Sequence, residues 1–296
     1  MDNADHIIEG RLVPSAPDAR IVVRDPSTGE AFTEIGRGGQ AEIDQAVASA
    51  RAALGGEWGG LSAYERGRRL LSMAKLLRDN IDTMTALEVR DVGKPVAQSR
   101  ADVVACARYF EFYGEAADKL GSETIPFQNG YTVLTKREPH GVTAHIVPWN
   151  YPMQIAGRSV AAALATGNAC VVKPAEDASL TTLYLGRLAI EAGFPAGVVN
   201  VVTGYGKEAG AALATHVDID HISFTGSNAT GSFIQEAAAR RTIPVTLELG
   251  GKSPQIVLSD ADLDRAAPFL VRAIIQNSGQ TCSAGSRIIV EDAIYD

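Results

Sequence analysis

The chain has 296 residues, enough for one large domain or two of ordinary size around a sizeable core. Hydrophobic residues make up 46% and charged residues 21%, a balance that argues against a disordered chain or a membrane protein. The net charge of −8 comes with no Lys/Arg run, so nucleic acid is not an expected partner.

The opening, MDNADHIIEG, is acidic and polar and lacks the basic start and apolar run of a secretory signal. The most apolar windows are short and interrupted, so no membrane span is expected. Three cysteines, Cys106, Cys170 and Cys282, show no paired spacing, and five histidines are scattered. No disulfide framework and no metal site are predicted, and a reducing cytoplasm is the expected compartment.

The first third reads as helical. AEIDQAVASARAAL places Ile43, Ala46, Val47, Ala50 and Leu54 on one face, and RLLSMAKLLRDNIDTM does the same with Leu70, Met73, Leu77, Ile81 and Met84. A third amphipathic segment, DVVACARYFEFYGEAADKL, carries Cys106 as a small core residue. Asn129-Gly130 between β-prone runs signals a hairpin. Short apolar strands then alternate with helices: GVTAHIVPWN, a helix over residues 152–166, NACVVKP with Cys170 as core, GVVNVVTG, IDHISFTG, IPVTLELGG and PQIVLS. A final helix runs through DLDRAAPFLVRAIIQNSG. This alternation predicts an α/β fold with a Rossmann-like, doubly wound parallel sheet.

Open sheets of this kind bind ligands at the carboxyl ends of their strands, and the unusual residues fall there. FTGSNATGSF reads as strand, glycine-serine turn and helix, a geometry that suits a pyrophosphate. Its spacing, Gly226-x-x-x-x-Gly231, is neither GxGxxG nor a P-loop, and an ordinary βα turn explains it equally well. VVKPAED supplies Lys173 and Glu176, able to bond ribose hydroxyls or simply to pair with each other at a helix start. A carboxylate there would repel a 2′-phosphate, which favours NAD over NADP. LELGGKSP sets Glu248 among apolar residues. Part-burial there would suit it to act as a general base, and a salt-bridged glutamate is the structural alternative. NSGQTCSAGS offers Cys282 between Gly279 and Gly285, and PWNYP offers the Asn150 amide as an oxyanion donor.

Taken in order, PWNYP, KPAE, GFPAGVVNVVTG, FTGS, LELGGKSP and GQTCSAGSR resemble the NAD(P)-dependent aldehyde dehydrogenase family from about Ile8 to the last residue. The resemblance implies that Cys282 attacks an aldehyde, that Asn150 and the Cys282 backbone N–H hold the oxyanion, and that Glu248 activates the hydrolytic water. It implies a cofactor site of Lys173 and Glu176 for the adenosine ribose, Gly226 and Ser227 for the pyrophosphate, and Ile146, Pro148, Trp149, Gly206, Gly210, Phe224, Gly231 and Leu249 along the cleft. NAD is the implied cofactor, with NADP as the alternative. The hairpin at residues 122–139 resembles the family's oligomerisation arm, and a homo-oligomer is implied for a full-length form.

The sequence also departs from the family pattern. No Glu-x-Phe-Gly-Pro segment occurs in it. The implied organisation is a nucleotide-binding domain with its helical N-terminal part over residues 1–270 and only the start of a catalytic domain over 271–296, a C-terminally truncated form. Two functions follow: oxidation of an aldehyde to a carboxylic acid, or a non-catalytic nucleotide-binding or interaction module of the same descent. The particular aldehyde is not legible.

Overall fold

The computed structural model describes residues 5–295. Four short strands come first: β1 (His6–Ile8), β2 (Arg11–Val13), β3 (Arg20–Arg24) and β4 (Ala31–Gly36). Five helices follow: α1 (Gln40–Gly55), α2 (Glu57–Gly60), α3 (Ala63–Asp79), α4 (Ile81–Val92) and α5 (Val96–Ala116). A hairpin of β5 (Thr124–Ile125) and β6 (Val133–Leu134) turns at Gly130, whose φ is 89°. Strands and helices then alternate: β7 (Val142–Val147), α6 (Pro152–Ala165), β8 (Ala169–Pro174), α7 (Leu180–Glu191), β9 (Val199–Val201), α8 (Ala211–Thr215), β10 (His221–Gly226), α9 (Asn228–Ala239), β11 (Val245–Leu249) and β12 (Pro254–Val257). Helix α10 (Leu263–Ile275) and strand β13 (Arg287–Val290) complete the order.

The main sheet runs β11-β10-β7-β8-β9-β1-β2. Its five strands from β11 to β9 are parallel, as the alternating pattern predicts, while β1 pairs antiparallel with both β9 and β2. This corrects the helical reading of the first third, because β1 to β4 precede the helices. Strand β1 holds its place because Ile7 and Ile8 point to opposite faces and each is fully buried in a different half of the core. Two apolar residues are too short a signal to stand out in an acidic opening.

Those two halves are the layers of the fold. One face of the sheet packs against α3, α5, α6 and α7 through Leu70, Phe110, Val160 and Leu183; the other packs against α1, α8 and α9 through Ile43, Leu213 and Ile234. Local signals start the helices. Ser62 and Glu65 form a reciprocal capping box on α3, with Ser62 N–H donating to Glu65 Oε2 at 2.8 Å and Glu65 N–H donating to Ser62 Oγ at 3.3 Å. Pro152 opens α6. Helices α5 and α6 cross closely at Gly157, where a Cβ would sit 2.4 Å from Cys106 Sγ.

A buried ionic group lies between α4 and α5. The fully buried Lys94 ammonium donates to Glu88 Oε1 at 2.8 Å and to Asp102 Oδ2 at 2.6 Å. Burial pushes the Glu88 carboxyl up, and Lys94 opposes that push.

Helix α10 and the two-stranded sheet β12–β13 contrast with this core. No α10 residue is buried, and Phe269, Val271 and Ile275 are exposed, as are Ile256, Ile288 and Ile289 on the two strands.

Two stability tests follow from the packing. Gly157→Ala should cost about 1–3 kcal/mol through overpacking against Cys106. Adding Cys106→Ala should recover part of that loss in urea midpoints, whereas strictly additive losses would contradict the contact. The second test concerns His145, fully buried beside Thr143 Oγ1 at 2.9 Å, where burial and then the nearby His221 hold its ring down to about 3. A histidine depressed in this way favours the fold while neutral. Its contribution is complete above its ordinary value of 6.5 and is lost as pH falls toward about 3. His145→Gln should therefore flatten the fall in stability from about pH 6 to about pH 5, by up to about 1.4 kcal/mol per pH unit. Parallel urea titrations at the two pH values check it.

Candidate active site

Strand register assembles the site. Lys173 pairs with Ile146, Ile146 with Phe224, and Phe224 with Leu247, so four neighbouring strands present one row near their carboxyl ends. One step further along, Thr225 pairs with Glu248 and Gly226 with Leu249. The residues singled out in the sequence therefore gather on one edge because parallel strands put all their carboxyl ends on the same side.

Lys173 is buried at 2% exposure and its ammonium donates to Glu176 Oε2 at 3.0 Å. Burial lowers the Lys173 pKa, and the pairing with Glu176 opposes that shift. The Gly206 N–H donates to the other Glu176 oxygen at 3.4 Å. The pair is thus a part-buried one at the cleft, not a solvated surface pair. A Cβ on Gly210 would lie 3.8 Å from Lys173 Cδ, so Gly210 borders the lysine stem.

The turn after β10 is shaped by close packing. A Cβ on Gly226 would meet the Phe224 ring at 2.4 Å, and one on Gly231 would meet Leu249 Cδ2 at 2.8 Å. Ser227 caps α9, its Oγ accepting from the Thr230 N–H at 3.3 Å. The free N–H groups of the first turn of α9 and the half-open Gly226-Ser227 turn suit a pyrophosphate, and the Lys173–Glu176 pair suits ribose hydroxyls. The residues present therefore fit a dinucleotide. Pro148 and Trp149 follow β7. Trp149 is 47% exposed and shares a cavity of about 490 Å³ with Glu176, Asp177 and Gln280.

Cys282 is exposed and lines a cavity of about 470 Å³ with Ser227, Gly250, Gly251, Thr281 and Ser286. The other two cysteines are buried, and burial pushes their thiols up, that of Cys170 to about 12. Cys282 is thus the one thiol among the described residues that solvent reaches. Its loop is tied to the end of β7. Asn150 Nδ2 donates to the Gln280 carbonyl at 2.8 Å, and Asn277 Nδ2 donates to the Asn150 carbonyl at 3.0 Å. Asn150 and the Cys282 loop thus come together.

Glu248 stands apart from them. It is exposed, not part-buried, because β11 is an edge strand along which exposure alternates. The burial on which the expected tuning as a base relied is absent. Its side chain lines a different cavity, of about 350 Å³, with Thr225, Thr246, His221 and Arg158, and no residue lines both this cavity and that of Cys282. Gly250 and Gly251, just beyond Glu248, do border the thiol.

PWNYP places Tyr151 beside Asn150, at the expected border of a substrate entrance, and gives no sign of its tie to the Cys282 loop. The Tyr151 ring is 6% exposed and lies over the Lys94 ammonium, 4.1 Å from ring centroid to Nζ. Its phenolic oxygen accepts from Thr281 Oγ1 at 2.9 Å and from Gln276 Nε2 at 3.3 Å. A detectable signal existed for the charges beneath it. Glu88 follows Met84 at helical spacing on the buried face of α4, where a solvated carboxylate does not belong.

Among the described residues no helix is long and apolar enough to cross a membrane, and no cluster of three or more His, Cys, Asp or Glu could hold a metal.

The model of the aldehyde dehydrogenase family matches residues 12–296. "Aldehyde dehydrogenase family 2 member B4, mitochondrial" of Arabidopsis thaliana is 45% identical over 293 residues, covering 98% of this chain and 54% of the relative. "Aldehyde dehydrogenase [NAD(P)+] 2" of Saccharomyces cerevisiae is 43% identical over 98% of this chain and 58% of its own length. The solved NAD+ complex of the Bacillus cereus aldehyde dehydrogenase superposes with a TM-score of 0.97 at 39% identity, over 99% of this chain and 60% of that one. The chain thus spans about half the length of the curated relatives it matches. On this similarity, carried across the sheet edge and the Cys282 loop alike, the chain belongs to the aldehyde dehydrogenase family.

Proposed function

We propose that this chain carries the NAD site and the nucleophile of an enzyme that oxidises an aldehyde to a carboxylic acid. The observation that carries the reading is the 2.8 Å bond from Asn150 to the Gln280 carbonyl, which ties the only exposed cysteine of the described chain to the edge that holds Lys173 and Glu176.

In this reading Glu176 accepts from the adenosine ribose hydroxyls and Lys173 donates to them, while the Gly226-Ser227 turn receives the pyrophosphate. NADP is disfavoured because a 2′-phosphate would face the Glu176 carboxylate. Bound NAD supplies a hydride acceptor. The Cys282 thiol, reached by solvent, gives its proton to water; its sulfur then forms a bond to the aldehyde carbon as the carbonyl π pair moves onto oxygen, leaving an oxyanion. Asn150 carries two amide N–H donors. One is committed to Gln280, and the second is free to meet that oxyanion together with the Cys282 N–H. The oxyanion re-forms its carbonyl as hydride leaves, and a thioester remains on Cys282. Glu248 then takes a proton from the water that hydrolyses the thioester. For this, its exposed side chain turns from the His221 side of β11 toward the end bordered by Gly250 and Gly251.

The family supports a small-molecule aldehyde as substrate, and the free cysteines support a reducing compartment such as the cytoplasm. The exposed hairpin residues Phe127 and Tyr131 support an arm used in homo-oligomerisation. A second reading, a nucleotide-binding module without turnover, is favoured by the separation of Glu248 from the Cys282 cavity and by the uncovered apolar side chains of α10.

Two assays follow. Purified chain should bind NAD, with Trp149 fluorescence as the readout, and Glu176→Gln should weaken binding by about ten-fold, as for loss of a charge-assisted hydrogen bond. Unchanged affinity in that variant would remove Glu176 from the site. With an aldehyde present, NADH production by this chain should be poor or nil. Any activity should vanish in Cys282→Ser while NAD binding is kept. Turnover equal to that of a full-length relative would contradict this expectation.

A further inference from the structure

The segment before Cys282 is strained. Asn277 and Ser278 both have left-handed backbones, at φ 49° and 56°, and Gly279 follows at φ 78°. Two consecutive non-glycine residues in that region persist only where their surroundings over-determine them. Asn277 is held by its side-chain bond to the Asn150 carbonyl, and both flanks of the strained stretch reach Tyr151. Gln276, on the N-terminal side, donates to the phenolic oxygen at 3.3 Å, and Thr281, on the C-terminal side, donates to it at 2.9 Å.

Tyr151 can serve as a fixed point because its ring is itself immobilised. It is 94% buried by the complement of its 6% exposure, and it covers the Lys94 ammonium, which two buried carboxylates hold in place. Gln154 of α6 joins the same group, its amide donating to Asp102 Oδ1 at 3.2 Å. A cation under an aromatic face in a dry site is a favourable and directional contact.

We propose that Tyr151 is a positioning residue for Cys282: its hydroxyl clamps Gln276 and Thr281, so that the buried Lys94 group fixes the strained loop and with it the thiol. The assignment of Cys282 as nucleophile rests on the function proposed above, but the clamp does not. Tyr151→Phe removes the hydroxyl and leaves the ring over Lys94. Thr281→Val removes the partner donor, and Thr281→Ser keeps it.

Amide hydrogen exchange reads the clamp directly, because the Gln280, Ala284 and Gly285 N–H groups are bonded within and beside the loop. Exchange in a peptide spanning residues 276–285 should quicken about five-fold in Tyr151→Phe, and by less in Thr281→Val, which leaves the Gln276 bond in place. The double variant should be no faster than Tyr151→Phe, and Thr281→Ser should match the parent chain. In Tyr151→Phe the urea midpoint should fall slightly, and exchange in α3 and α5 should quicken no more than that fall accounts for. Parent-like exchange in Tyr151→Phe, effects that multiply in the double variant, or a Thr281→Ser variant as fast as Thr281→Val would each overturn the proposal. Should Tyr151→Phe fail to fold, the pair at Thr281 decides alone. Failure of the proposed function would show as an NAD affinity unchanged in Glu176→Gln with the exchange pattern intact, so the two readings fall separately.

Discussion

The Asn150-Tyr151 dipeptide is the joint on which the site depends. It ends the connection from a central parallel strand and opens helix α6, so both residues inherit the rigidity of the sheet. From that base four side-chain hydrogen bonds, two involving each residue, reach a loop some 130 positions away in sequence. Each bond is modest alone, on the order of 1 kcal/mol. Together they hold a left-handed stretch that a free chain would abandon. The position of the thiol is thereby a property of the sheet edge and not of the exposed helix that precedes it.

The same logic explains how the edge at the carboxyl ends of the strands is built. Parallel register, not local motif, brings Lys173, Ile146 and Phe224 into one row. The glycines of the turn after β10 are shaped as much by the Phe224 and Leu249 side chains as by any ligand. This accounts for a spacing that matches no short phosphate-binding motif. What the turn must satisfy first is the packing of its own strand ends.

Much of the architecture is legible in the sequence for physical reasons. Strands β7 to β11 are short, apolar or alternating runs separated by helices, of which α6 opens on Pro152 and α9 on Ser227, so both their type and their parallel direction follow. The opening strands are not legible, because β1 depends on Ile7 and Ile8 meeting two separate halves of the core. At the site, Cys282 and Asn150 are legible from their neighbours, and their proximity is a tertiary fact. The environment of Glu248 is misjudged, since apolar neighbours in sequence do not bury a residue on an edge strand. Tyr151 is invisible as a clamp because its partners lie in the connection between α4 and α5 and in the Cys282 loop, segments that no local pattern connects.

If the dinucleotide edge and the Cys282 loop form one cleft, bound NAD must alter access to the thiol. The most direct measurement is the rate at which iodoacetamide alkylates Cys282, followed by intact mass with and without saturating NAD. The two buried cysteines make this a single-site reaction. A clear dependence of the rate on NAD, lost in Glu176→Gln at the same cofactor concentration, is the predicted result. Identical rates with and without bound cofactor would contradict it.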